Sequence, residues 1–561
     1  MIPLKQTYTL SPIQSDLSIL DNELKLLNPV CLDLLFKRGY TSNEAIRDIL
    51  FPSFQSAIQP LACQDIKPAV EVLSKAVKED KHIVVYRDYD VDGITAGALA
   101  VECLSALGAN VHHYVNRREV DGFGICKNGI DNILKMYPDT DVIMTVDNGI
   151  NGIDAIDYAN SRGLTVVVTD HHEPGEKLPN AAAVVDLKRK DETYPFRDFC
   201  GCGLAFRVML DLYRYMKKDP TPVFNTLDLV ALATVADVVP LTGENRALLK
   251  DGLQRIESGD RLFFAILLPL LNVKEVNAHY TLAFQIAPIL NSLSRMCEDT
   301  ALAVDALLSN DPDWVRLQCS AFIDTNKVRK EMTKEQTERA ISMAEECEDD
   351  PVLVIYDDSF HEGIVGIIAG RLKELFWKPA IVLARGETGV LKGSGRSLDE
   401  IPLNEALNAC DQYLLSHGGH AKAAGLSLPA ESLDSFRTAI NTYATNCLEG
   451  KTIRKETPLA AVLTEDTLTE DLIHSLRILE PYGEGFPEPL FGLKAIPTSI
   501  QYMGSEQQHV KLRCENSGLS IIFWNKGEEY KNRRSLPSKF IGKPQLNLWN
   551  DNVNVQFVSS V

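Results

Sequence analysis

From Lys81 onward, short apolar runs alternate with longer segments in which apolar residues recur at helical spacing. The runs HIVVY, VIMTV, LTVVV and AAAVV have the length and the β-branched content of buried strands, and NVHHYV predicts a further strand. The intervening segments, such as ITAGALAVECLSALG and IDAIDYANSRG, predict helices. This alternation predicts an α/β fold with a mostly parallel sheet.

The composition of the middle of the chain predicts one long helix. Between Pro312 and Pro351 there is neither glycine nor proline, and the segment is rich in strong helix formers. A second α/β unit opens after it with VLVIYDD and continues through AIVLA to about Leu448, so we expect the helix to join two lobes. Beyond about Pro458, segments such as HVKLRC, LSIIFW and NVQFV predict a small closed β domain.

These patterns divide the chain into five parts. The predicted parts are an N-terminal appendage (1–60), a first α/β lobe (61–310), a connecting helix (311–350), a second α/β lobe (351–450) and a β-barrel domain (451–561).

The composition is that of a soluble globular protein, since 45% of the 561 residues are apolar and 24% are charged. No apolar stretch approaches the roughly 18 residues that a membrane span needs, and no basic segment followed by an apolar one opens the chain. We therefore expect a cytoplasmic protein with no membrane partner. The twelve cysteines include no CxxC pair, which predicts buried thiols rather than a zinc or disulfide framework.

The net charge of −20 disfavours a polyanionic partner for the protein as a whole. However, the segment from Lys511 to Val561 carries eight Lys and Arg against four Asp and Glu, which makes it +4 and leaves −24 for the rest. The C-terminal segment is therefore the part whose charge suits a nucleic acid.

Acidic residues and histidines directly follow three of the predicted strands. HIVVY precedes RDYDVDG, VIMTV precedes DNG, and LTVVVT precedes DHH. Residues just past the carboxyl ends of parallel strands converge on one crevice of an open sheet. We therefore expect Asp90, Asp92, Asp147 and His171 to lie together. Asp88 is less constrained, because only one or two members of the DYDVD run can point inward at once.

Crowded carboxylates repel one another and would take up protons unless cations neutralise them. Carboxylates with one or two imidazoles and no thiolates suit Mn²⁺ or Mg²⁺ better than a structural zinc. Asp237 stands in the apolar stretch LVALATVADVVPL with no adjacent Lys or Arg, which indicates a further ligand. Two metal ions held in this way are typical of enzymes that hydrolyse phosphoesters or phosphoanhydrides.

Each of these residues has a simpler explanation when taken alone. An Asp after a strand is most often a turn former or a helix N-cap, and a His pair is usually exposed or satisfied within the core. The joint occurrence of DxD, Asp-Asn-Gly and Asp-His-His at three strand ends within 85 residues makes the structural explanation the weaker one.

The motifs DYDVDG, VDNG, DHH and TVADVVPLTGENR, in this order, resemble those of the DHH phosphoesterase family. HEGIVGIIAGRL, LKGSGRS and GGHAKAAG resemble the DHH-associated domain, and the β segment after PYGEGFPEPLF resembles an oligonucleotide-binding (OB-like) barrel. From about Ile58 onward, the chain resembles the bacterial single-stranded-DNA exonucleases of this family. The resemblance implies two-metal removal of nucleotides from the 5′ end of single-stranded DNA, in recombination and repair.

The resemblance also implies roles for residues of the metal site. Asp147 matches a catalytic carboxylate that bridges two Mn²⁺ or Mg²⁺ ions, and His172 would be a catalytic residue facing the scissile phosphate. Asp170 would stand behind them and hold an imidazole. The remaining implied metal ligands are Asp88, Asp90, Asp92, His171 and Asp237.

For the substrate, the resemblance implies a cradle for a terminal 5′-phosphate, because a Gly-rich loop exposes N–H groups and an arginine adds a bidentate clamp. Taken alone, KGSGRS is equally well explained as a solvated turn. The implied substrate-binding residues are Arg118 (with Arg117 as the fallback), Arg295, Ser394, Gly395 and Arg396, with Gly418, Gly419 and His420 lining the substrate side.

In the β domain, aromatic stacking and a basic groove would grip a single strand. A buried aromatic pair beside a solvated charged loop explains the same residues equally well. The candidates are Phe523, Trp524, Lys526, Lys531, Arg533 and Arg534.

Some positions depart from the family pattern. Phe123 stands where the family commonly has a tyrosine between two glycines, and CGCG at Cys200 replaces a more usual AGVG. Ile289 and Ser294, in APILNSLSR, replace an arginine and a glycine, which puts a second DNA contact in doubt.

Two other functions compete with the exonuclease. One is a DHH phosphodiesterase acting on short oligonucleotides or dinucleotides, against which the additional β domain argues. The other is an inactive DNA-binding repair scaffold, against which the retained acidic residues argue. Besides single-stranded DNA, the resemblance implies single-stranded-DNA-binding protein and recombination or mismatch-repair factors as partners, and a monomeric state.

Overall fold

The computed structural model describes residues 7–10, 18, 20–116, 124–296, 299–386, 389–450, 453, 455–549 and 552–560. These residues form two compact units. The first contains the described residues of Ile58–Val239 and Leu248–Lys455, and the second those of 7–57, Pro240–Ala247 and 456–560.

The first lobe of the first unit is built on a five-stranded sheet in which every pair of neighbours is parallel, as predicted. Arg87, at the end of one strand, pairs with Val146, which in turn pairs with Thr169. Three strands therefore end at one level, and the loops that follow them emerge side by side. In spatial order the strands are Asn110–Val115, His82–Arg87, Thr140–Val146, Thr165–Thr169 and Ala183–Val185.

Helices connect and cover this sheet. Val91–Ala106 is apolar on nearly all sides and is buried along most of its length, as expected of a helix enclosed by the core. Ala278–Ile286 is a π-helix that runs directly into Ala287–Arg295. The other helices are Ile66–Lys78, Lys127–Met136, Ile153–Ser161, Gly201–Met216, Thr221–Phe224, Leu227–Ala236, Gly243–Ser258 (whose first residues are grouped with the second unit), Leu262–Leu270 and Ala301–Leu308.

The predicted long helix spans Pro312–Glu346. It begins at a proline, and the Asp311 side chain caps it by accepting hydrogen bonds from the N–H groups of Asp313 and Trp314. Its 35 residues make it about 50 Å long, enough to pass from the first lobe to the second. We call it the connecting helix.

The second lobe has a five-stranded mixed sheet. Its first two strands along the chain are parallel, and the remaining pairs are antiparallel. In spatial order the strands are Ser416–Gly419, Ala423–Leu428, Leu391–Arg396, Ala380–Arg385 and Leu353–Tyr356, and the helices are Val365–Phe376, Leu403–Asn408 and Leu433–Leu448, with short 3₁₀ turns at Asp411–Tyr413 and Ala430–Ser432.

The second unit contains the predicted C-terminal β domain. Phe491–Lys494 and Ser499–Met503 are separated by four residues and pair with Lys539–Trp549 and His509–Arg513, so one bent segment closes the sheet into an OB-like barrel. The other strands of this sheet are Ser520–Phe523, Asn552–Ser559 and the added edge strand Val462–Thr464, and the helices of this part are Glu470–Ile478 and Gly527–Lys531.

N-terminal residues complete the core of the second unit. Apolar side chains of the helices Pro29–Lys37 and Asn43–Leu50 lie in one cluster with the barrel interior. The strand Thr7–Leu10 pairs in parallel with Glu456–Leu459. The remaining helices of this segment are Phe54–Ala57 and the 3₁₀ turn Leu24–Leu26.

Among the described helices, none has both the length and the apolar character that a membrane span requires.

Candidate active site

The turn at Asp147 lies at the level where the parallel strands end. Asp147 has a φ of 61°, in the left-handed region that few residues other than glycine adopt. Its N–H donates to the carbonyl of Thr169 on the neighbouring strand at 3.1 Å, and Asn148 Nδ2 donates to the carbonyl of Tyr86 at 3.1 Å. These cross-strand hydrogen bonds stabilise the strained turn, which aims the Asp147 carboxylate into the crevice.

Three carboxylates surround one nitrogen of His171. Nε2 of His171 lies 3.1 Å from Asp147 Oδ1 and 3.6 Å from both Asp92 Oδ2 and Asp237 Oδ2. Neither ring nitrogen of His171 has a hydrogen-bond partner in the described part of the chain, although both are buried. Since buried polar atoms are almost always paired, an imidazole in this state has the properties of a metal ligand.

Asp88, Asp90 and Asp147 form a second group, with one oxygen of each within 4.8 Å of the others. Asp90 is also the N-cap of Val91–Ala106, because its Oδ1 accepts a hydrogen bond from the N–H of Gly93 at 3.1 Å. The N-cap explanation and the ligand explanation of Asp90 are therefore compatible, since a carboxylate has a second oxygen.

Asp92 is held in place by the helix Gly201–Met216. Its two carboxylate oxygens accept hydrogen bonds from the N–H groups of Gly201 (2.6 Å) and Cys202 (2.7 Å) at the start of that helix. Gly201 also lies against Asp147, where an added Cβ would be 2.5 Å from Asp147 Cβ. Only glycine fits there, so the helix start positions two carboxylates at once.

Burial and mutual repulsion make the acidic groups resist ionisation. Burial and the neighbouring Asp90 raise the pKa of Asp88 to about 7 and that of Asp92 to about 7. For Asp147 and Asp237, burial and the surrounding carboxylates raise the pKa well above the usual value for Asp. The positive charges of His172 and Lys188 offset only part of this effect, as expected where most of the counter-charge is a metal ion.

The two adjacent histidines have opposite electrostatics. Burial lowers the pKa of His171 to about 3, with a contribution from His172, so that imidazole is neutral and able to bind a metal. The pKa of His172 is raised to about 9, because the hydrogen bond and the charge of Asp170 outweigh the effect of burial. Asp170 Oδ1 lies 2.7 Å from His172 Nδ1, and Asp170 Oδ2 accepts from the N–H of Ile150 at 2.9 Å.

Asp170 therefore holds an imidazole, and that imidazole belongs to His172. His172 is half exposed on the open side of the site, whereas Asp170 is buried. A cationic His172 in this position suits contact with an anionic substrate.

The donor set fits divalent cations. Three groups of potential ligands share members: Asp147 with His171 and His172, Asp92 with His171 and Asp237, and Asp88 with Asp90 and Asp147. Asp147 belongs to two of the three. Oxygen donors with an imidazole and without thiolate are the ligands of Mn²⁺ and Mg²⁺ sites.

In the second lobe, the structure corrects the interpretation of KGSGRS as a Gly-rich loop or a solvated turn, because this segment is the strand Leu391–Arg396 and is paired on both sides. Its side chains Ser394 and Arg396 lie beside the start of the helix Val365–Phe376. Arg396 Nη1 donates to Ser394 Oγ and to the Gly395 carbonyl, both at 2.8 Å. A Cβ added at Gly366 would lie 3.1 Å from Ser394 Oγ and 3.2 Å from Arg396 Nη2, which places the first turn of the helix against both side chains. The N-cap of this helix makes no side-chain capping bond, so its amides suit a phosphate group.

Arg295 joins this cradle from the first lobe. Its Nη1 donates to the carbonyl of Gly363 at 3.2 Å, and a Cβ at Gly363 would lie 2.0 Å from the Arg295 carbonyl oxygen. The two lobes therefore meet in a close backbone contact between the end of Ala287–Arg295 and the loop before Val365–Phe376. Burial lowers the pKa of Arg396.

The GGH segment lies at the same end of the second sheet as the cradle. Gly419 pairs with Ala424, which pairs with Gly395, and the N–H of His420 donates to the Ala423 carbonyl at 2.8 Å. Gly418, Gly419 and His420 are exposed. The predicted contact Arg118, its fallback Arg117, and Phe123 lie outside the described residues.

The two departures in APILNSLSR have structural roles. Ile289 is buried in the core, and Ser294 Oγ donates to the Asn291 carbonyl at 3.3 Å. Asn291, in the same segment, has a role that the sequence does not indicate: its Oδ1 accepts a hydrogen bond from the N–H of Val91, inside the DYDVDG motif, at 3.2 Å. No local signal indicates this, because the two residues are 200 positions apart.

In the barrel, the structure corrects part of the predicted nucleic-acid surface. Phe523 is 1% exposed and belongs to the core, so it is unavailable for stacking, whereas Trp524 is 54% exposed. The predicted cations of the following helix are ion-paired: Lys526 and Arg533 with Glu529, and Lys531 with Glu528. Arg534 is exposed.

A different basic pair lies on the strand His509–Arg513. Lys511 and Arg513 alternate with Val510 and Leu512, which face the barrel core, so both cations point outward. Burial and Arg513 lower the pKa of Lys511. Neither cation forms a salt bridge within the described residues. Trp524 is near this strand, since its ring contacts that of His509 at 4.8 Å.

Family models match three successive segments of the chain. The DHH family N-terminal domain matches residues 82–234, the DHHA1 domain 349–446 and the RecJ OB domain 459–560. Fold and site together define a DHH-family protein with a C-terminal OB domain.

Similarity to known proteins over most of the chain identifies the family more specifically. The chain is 34% identical over 474 residues to the single-stranded-DNA-specific exonuclease RecJ of Escherichia coli K12, with 81% of each chain covered. It is 32% identical over 557 residues to RecJ of Bacillus subtilis 168, which covers 98% of this chain and 69% of that relative. The chain belongs to the RecJ family.

Solved structures agree with this assignment. A crystal structure of RecJ in complex with Mn²⁺ from Thermus thermophilus superposes with a TM-score of 0.84 and 27% identity, covering 99% of this chain and 79% of that chain. A crystal structure of exonuclease RecJ bound to manganese gives a TM-score of 0.60 and 31% identity, covering 69% and 95%.

Proposed function

We propose that this protein is a metal-dependent, single-stranded-DNA-specific exonuclease that hydrolyses phosphodiesters from the 5′ end, in DNA recombination and repair. The observation that carries the proposal is the cluster of Asp92, Asp147, Asp237 and His171, of which all but Asp237 are buried. Ionisable groups from four segments meet there, and none of the three carboxylates forms a salt bridge with a Lys or Arg among the described residues. A DNA-binding scaffold has no use for such a costly arrangement.

Two Mn²⁺ or Mg²⁺ ions would be held by the described carboxylates and His171. Asp147 would contact both ions, Asp88 and Asp90 would complete one site, and the other would be completed by Asp92, His171 and Asp237. When bound, the ions supply an activated water and neutralise charge on the phosphate oxygens.

The protein's own groups orient the scissile phosphate. Cationic His172, fixed by Asp170, would donate a hydrogen bond to a phosphate oxygen on the open side of the site. Gly201 and Cys202 hold Asp92 through their N–H groups, so its oxygens keep one orientation during the reaction. The contact of Asp170 with His172 and the contacts of Gly201 and Cys202 with Asp92 exist before the substrate binds. This limits the reorganisation needed in the transition state.

The 5′ polarity would come from the cradle of the second lobe. Arg396, Ser394 and the first turn of Val365–Phe376 offer a guanidinium, a hydroxyl and backbone amides in one place. Arg295 adds a second guanidinium from the first lobe. This set of donors suits a terminal phosphate, which carries more charge and more free oxygens than an internal one.

The barrel would bind a further part of the single strand. Lys511 and Arg513 provide positive charge on its outer surface, and the exposed ring of Trp524 offers a stacking platform.

For the chain as a whole, we propose that its five parts are divided near residues 60, 310, 350 and 450. We also propose that the protein is a cytoplasmic monomer. Its proposed protein partners are single-stranded-DNA-binding protein and recombination or mismatch-repair factors.

The test is Mn²⁺-dependent digestion of a 5′-phosphorylated single-stranded oligomer labelled at either end, by the wild type and by Asp147→Ala. We expect stepwise shortening from the 5′ end that is lost in the variant, and resistance of blunt duplex DNA. A 5′-hydroxyl oligomer should be degraded more slowly, because the cradle then lacks its ligand.

Rapid cleavage of dinucleotides without attack on the oligomer would favour a small-substrate DHH phosphodiesterase. Inactivity on both, with strand binding intact, would favour the scaffold. Shortening from the 3′ end would contradict the assignment of the cradle to a 5′-phosphate.

A further inference from the structure

The inward face of the connecting helix changes character along its length. At the start of the helix the buried positions Val315, Cys319 and Phe322 are apolar, and at its end they are Ala340 and Ala344. The first set packs with helices of the first lobe, whereas the last two alanines belong to the core of the second lobe. The stripe of positions three and four residues apart is thus continuous and crosses from one lobe to the other.

Between these two apolar ends the stripe is mostly polar. Its polar members are Asn326, Arg329, Thr333 and Gln336, and Asn326 is buried. Met332 interrupts them and packs against the core of the second lobe. The stretch that faces neither apolar core is therefore the one around Asn326 and Arg329, between Phe322 and Met332, where the helix passes from one lobe to the other.

Arg329 is the charged member of this interval, and its charge is not neutralised by a described residue. Its Nη2 donates to Asn326 Oδ1 at 2.5 Å, and its Nε is buried without a hydrogen-bond partner among the described residues. The side chain is partly buried, and burial alone lowers its pKa, without an opposing contribution from an acidic neighbour. A partly buried guanidinium that keeps most of its five donors free is arranged for an external anion.

Hydrogen bonds connect this interval to the phosphate cradle. Gln336 Oε1 accepts from the N–H of His361 at 2.9 Å, and His361 Nδ1 accepts from the N–H of Gly363 at 3.1 Å. Gly363 in turn accepts from Arg295. Arg329 lies seven residues before Gln336, which is two helical turns, on the same face and about 10 Å along the axis.

We propose that Arg329, oriented by Asn326, binds a backbone phosphate of the substrate strand other than its 5′-terminal phosphate. This inference rests on the proposed function, since it places a DNA strand in the cleft between the lobes. It adds a contact on the connecting helix that makes the helix part of the binding surface as well as a spacer. The contact is independent of sequence, because it is made to the backbone.

The test measures binding of a fluorescent 5′-phosphorylated oligo-dT strand by anisotropy over a range of salt concentrations, in EDTA so that hydrolysis is absent. The variants are Arg329→Gln, which removes the charge, and Arg329→Lys, which keeps it without the planar fork. The matched control is Lys330→Gln, one position along on the exposed side of the same helix.

We expect Arg329→Gln to weaken binding at least about tenfold, as for the loss of a hydrogen bond to a charged group. The slope of log affinity against log salt should fall by about 0.7, the value for one phosphate contact on a single strand. Arg329→Lys should keep the wild-type slope with a several-fold loss of affinity, and Lys330→Gln should change the affinity less than twofold.

Equal affinity and equal slope for Arg329→Gln and Lys330→Gln would overturn the proposal. If thermal melts show that Arg329→Gln is unfolded, Arg329→Lys decides alone: wild-type affinity would overturn the contact, and a several-fold loss with an unchanged slope would support it. Absence of exonuclease activity in the wild type would overturn the proposed function instead, and the binding comparison in EDTA separates the two failures.

Discussion

The acidic cluster of the first lobe and the basic loop of the barrel are both dense groups of like charge, and they differ in how that charge is balanced. Asp92, Asp147 and Asp237 surround His171, and none of these carboxylates forms a salt bridge with a described Lys or Arg. In the barrel, Lys526 and Lys531 each have their own glutamate within 2.7 Å. The first group needs an external partner, whereas the second is balanced internally.

This difference shows which dense charges indicate function. Local ion pairs on an exposed helix contribute little and leave little potential for a ligand. A buried group without counter-charge raises the free energy of the folded protein until a ligand neutralises it. Neutralisation, rather than the number of charges, therefore separates the candidate metal site from the solvated loop.

The largest predicted effect comes from removing one charge of the acidic cluster. Asp147→Asn keeps the size of the side chain, and asparagine tolerates the left-handed φ of this position, so the backbone should be preserved. We expect the exonuclease rate to fall at least about a thousandfold, because Asp147 belongs to two ligand groups. The rate is measured with saturating Mn²⁺, and Mn²⁺ binding by calorimetry.

The control is Asp139→Asn, an exposed acid before the same strand, which should leave both quantities unchanged. An Asp147→Asn rate within tenfold of the wild type would contradict the assignment of Asp147 to both ions.

A second, smaller effect tests whether the helix start positions the cluster. In Gly201→Ala the new Cβ would be 2.5 Å from Asp147 Cβ, so the carboxylate must shift. A displacement of this order near reacting groups costs about a hundredfold in rate. Mn²⁺ affinity should fall as well, and that readout separates a shifted ligand from a lost substrate contact.

Gly203→Ala, two residues further along the same helix, is the matched control, since its nearest contact would be Phe199 at 3.3 Å. Equal Mn²⁺ affinities for the two variants would show that Asp147 is positioned by its own turn alone.

The sequence predicts the parts of this site that are local and misses those that are not. The five strands of the first lobe, the long helix and the convergence of Asp90, Asp92, Asp147 and His171 follow from short-range patterns and the geometry of a parallel sheet. The hydrogen bond from Val91 to Asn291 joins segments 200 residues apart, and no periodicity encodes it. The backbone support of Asp92 is likewise invisible in sequence, because any non-proline residue supplies an N–H.

The error in the barrel has a cause that the sequence contains. Lys526 and Glu529 are three residues apart, and Glu529 and Arg533 are four apart, the spacings at which side chains meet on a helix. When this segment is interpreted as a loop, these ion pairs are not expected. The positive net charge of the C-terminal segment does not indicate them either, because a net charge does not show which charges are paired. Ile521, Ile522 and Phe523 are consecutive buried residues of one strand, so no alternation of apolar and polar positions distinguishes the inward face in the sequence.

A third effect concerns the stability of the metal-free protein against pH. The pKa of Asp88 and of Asp92 is raised to about 7 in the folded state, so the stability that these groups confer when protonated is lost as pH rises through that value. His172 acts in the same direction, because its raised pKa means that stability is lost as pH rises through about 9. His171 acts in the opposite direction, but only below its ordinary value of 6.5.

In EDTA the melting temperature should therefore decrease by a few degrees from pH 6.5 to pH 9, and saturating Mn²⁺ should abolish most of this decrease. Asp147→Asn should show a shallower decrease than the wild type, because one buried carboxylate is gone. A melting temperature that rises over this interval in EDTA would contradict the unneutralised state of the cluster.

The smallest effect tests the other side of the comparison, in the barrel. Replacing Lys526 and Lys531 together by glutamine removes two charges that Glu528 and Glu529 already balance, so affinity for single-stranded DNA should change less than about twofold.

Replacing Lys511 and Arg513 by glutamine removes the same number of charges from the outer face of His509–Arg513, where no described carboxylate pairs with them. This second variant should bind several-fold more weakly, and its slope of log affinity against log salt should fall by about 1.4, equivalent to two single-strand phosphate contacts. Anisotropy titrations of both double variants with the same single strand would show which variant loses more affinity. A larger loss for the Lys526 and Lys531 variant would show that the ion pairs open on binding. In that case, neutralisation within the protein would not exclude a charged surface from function.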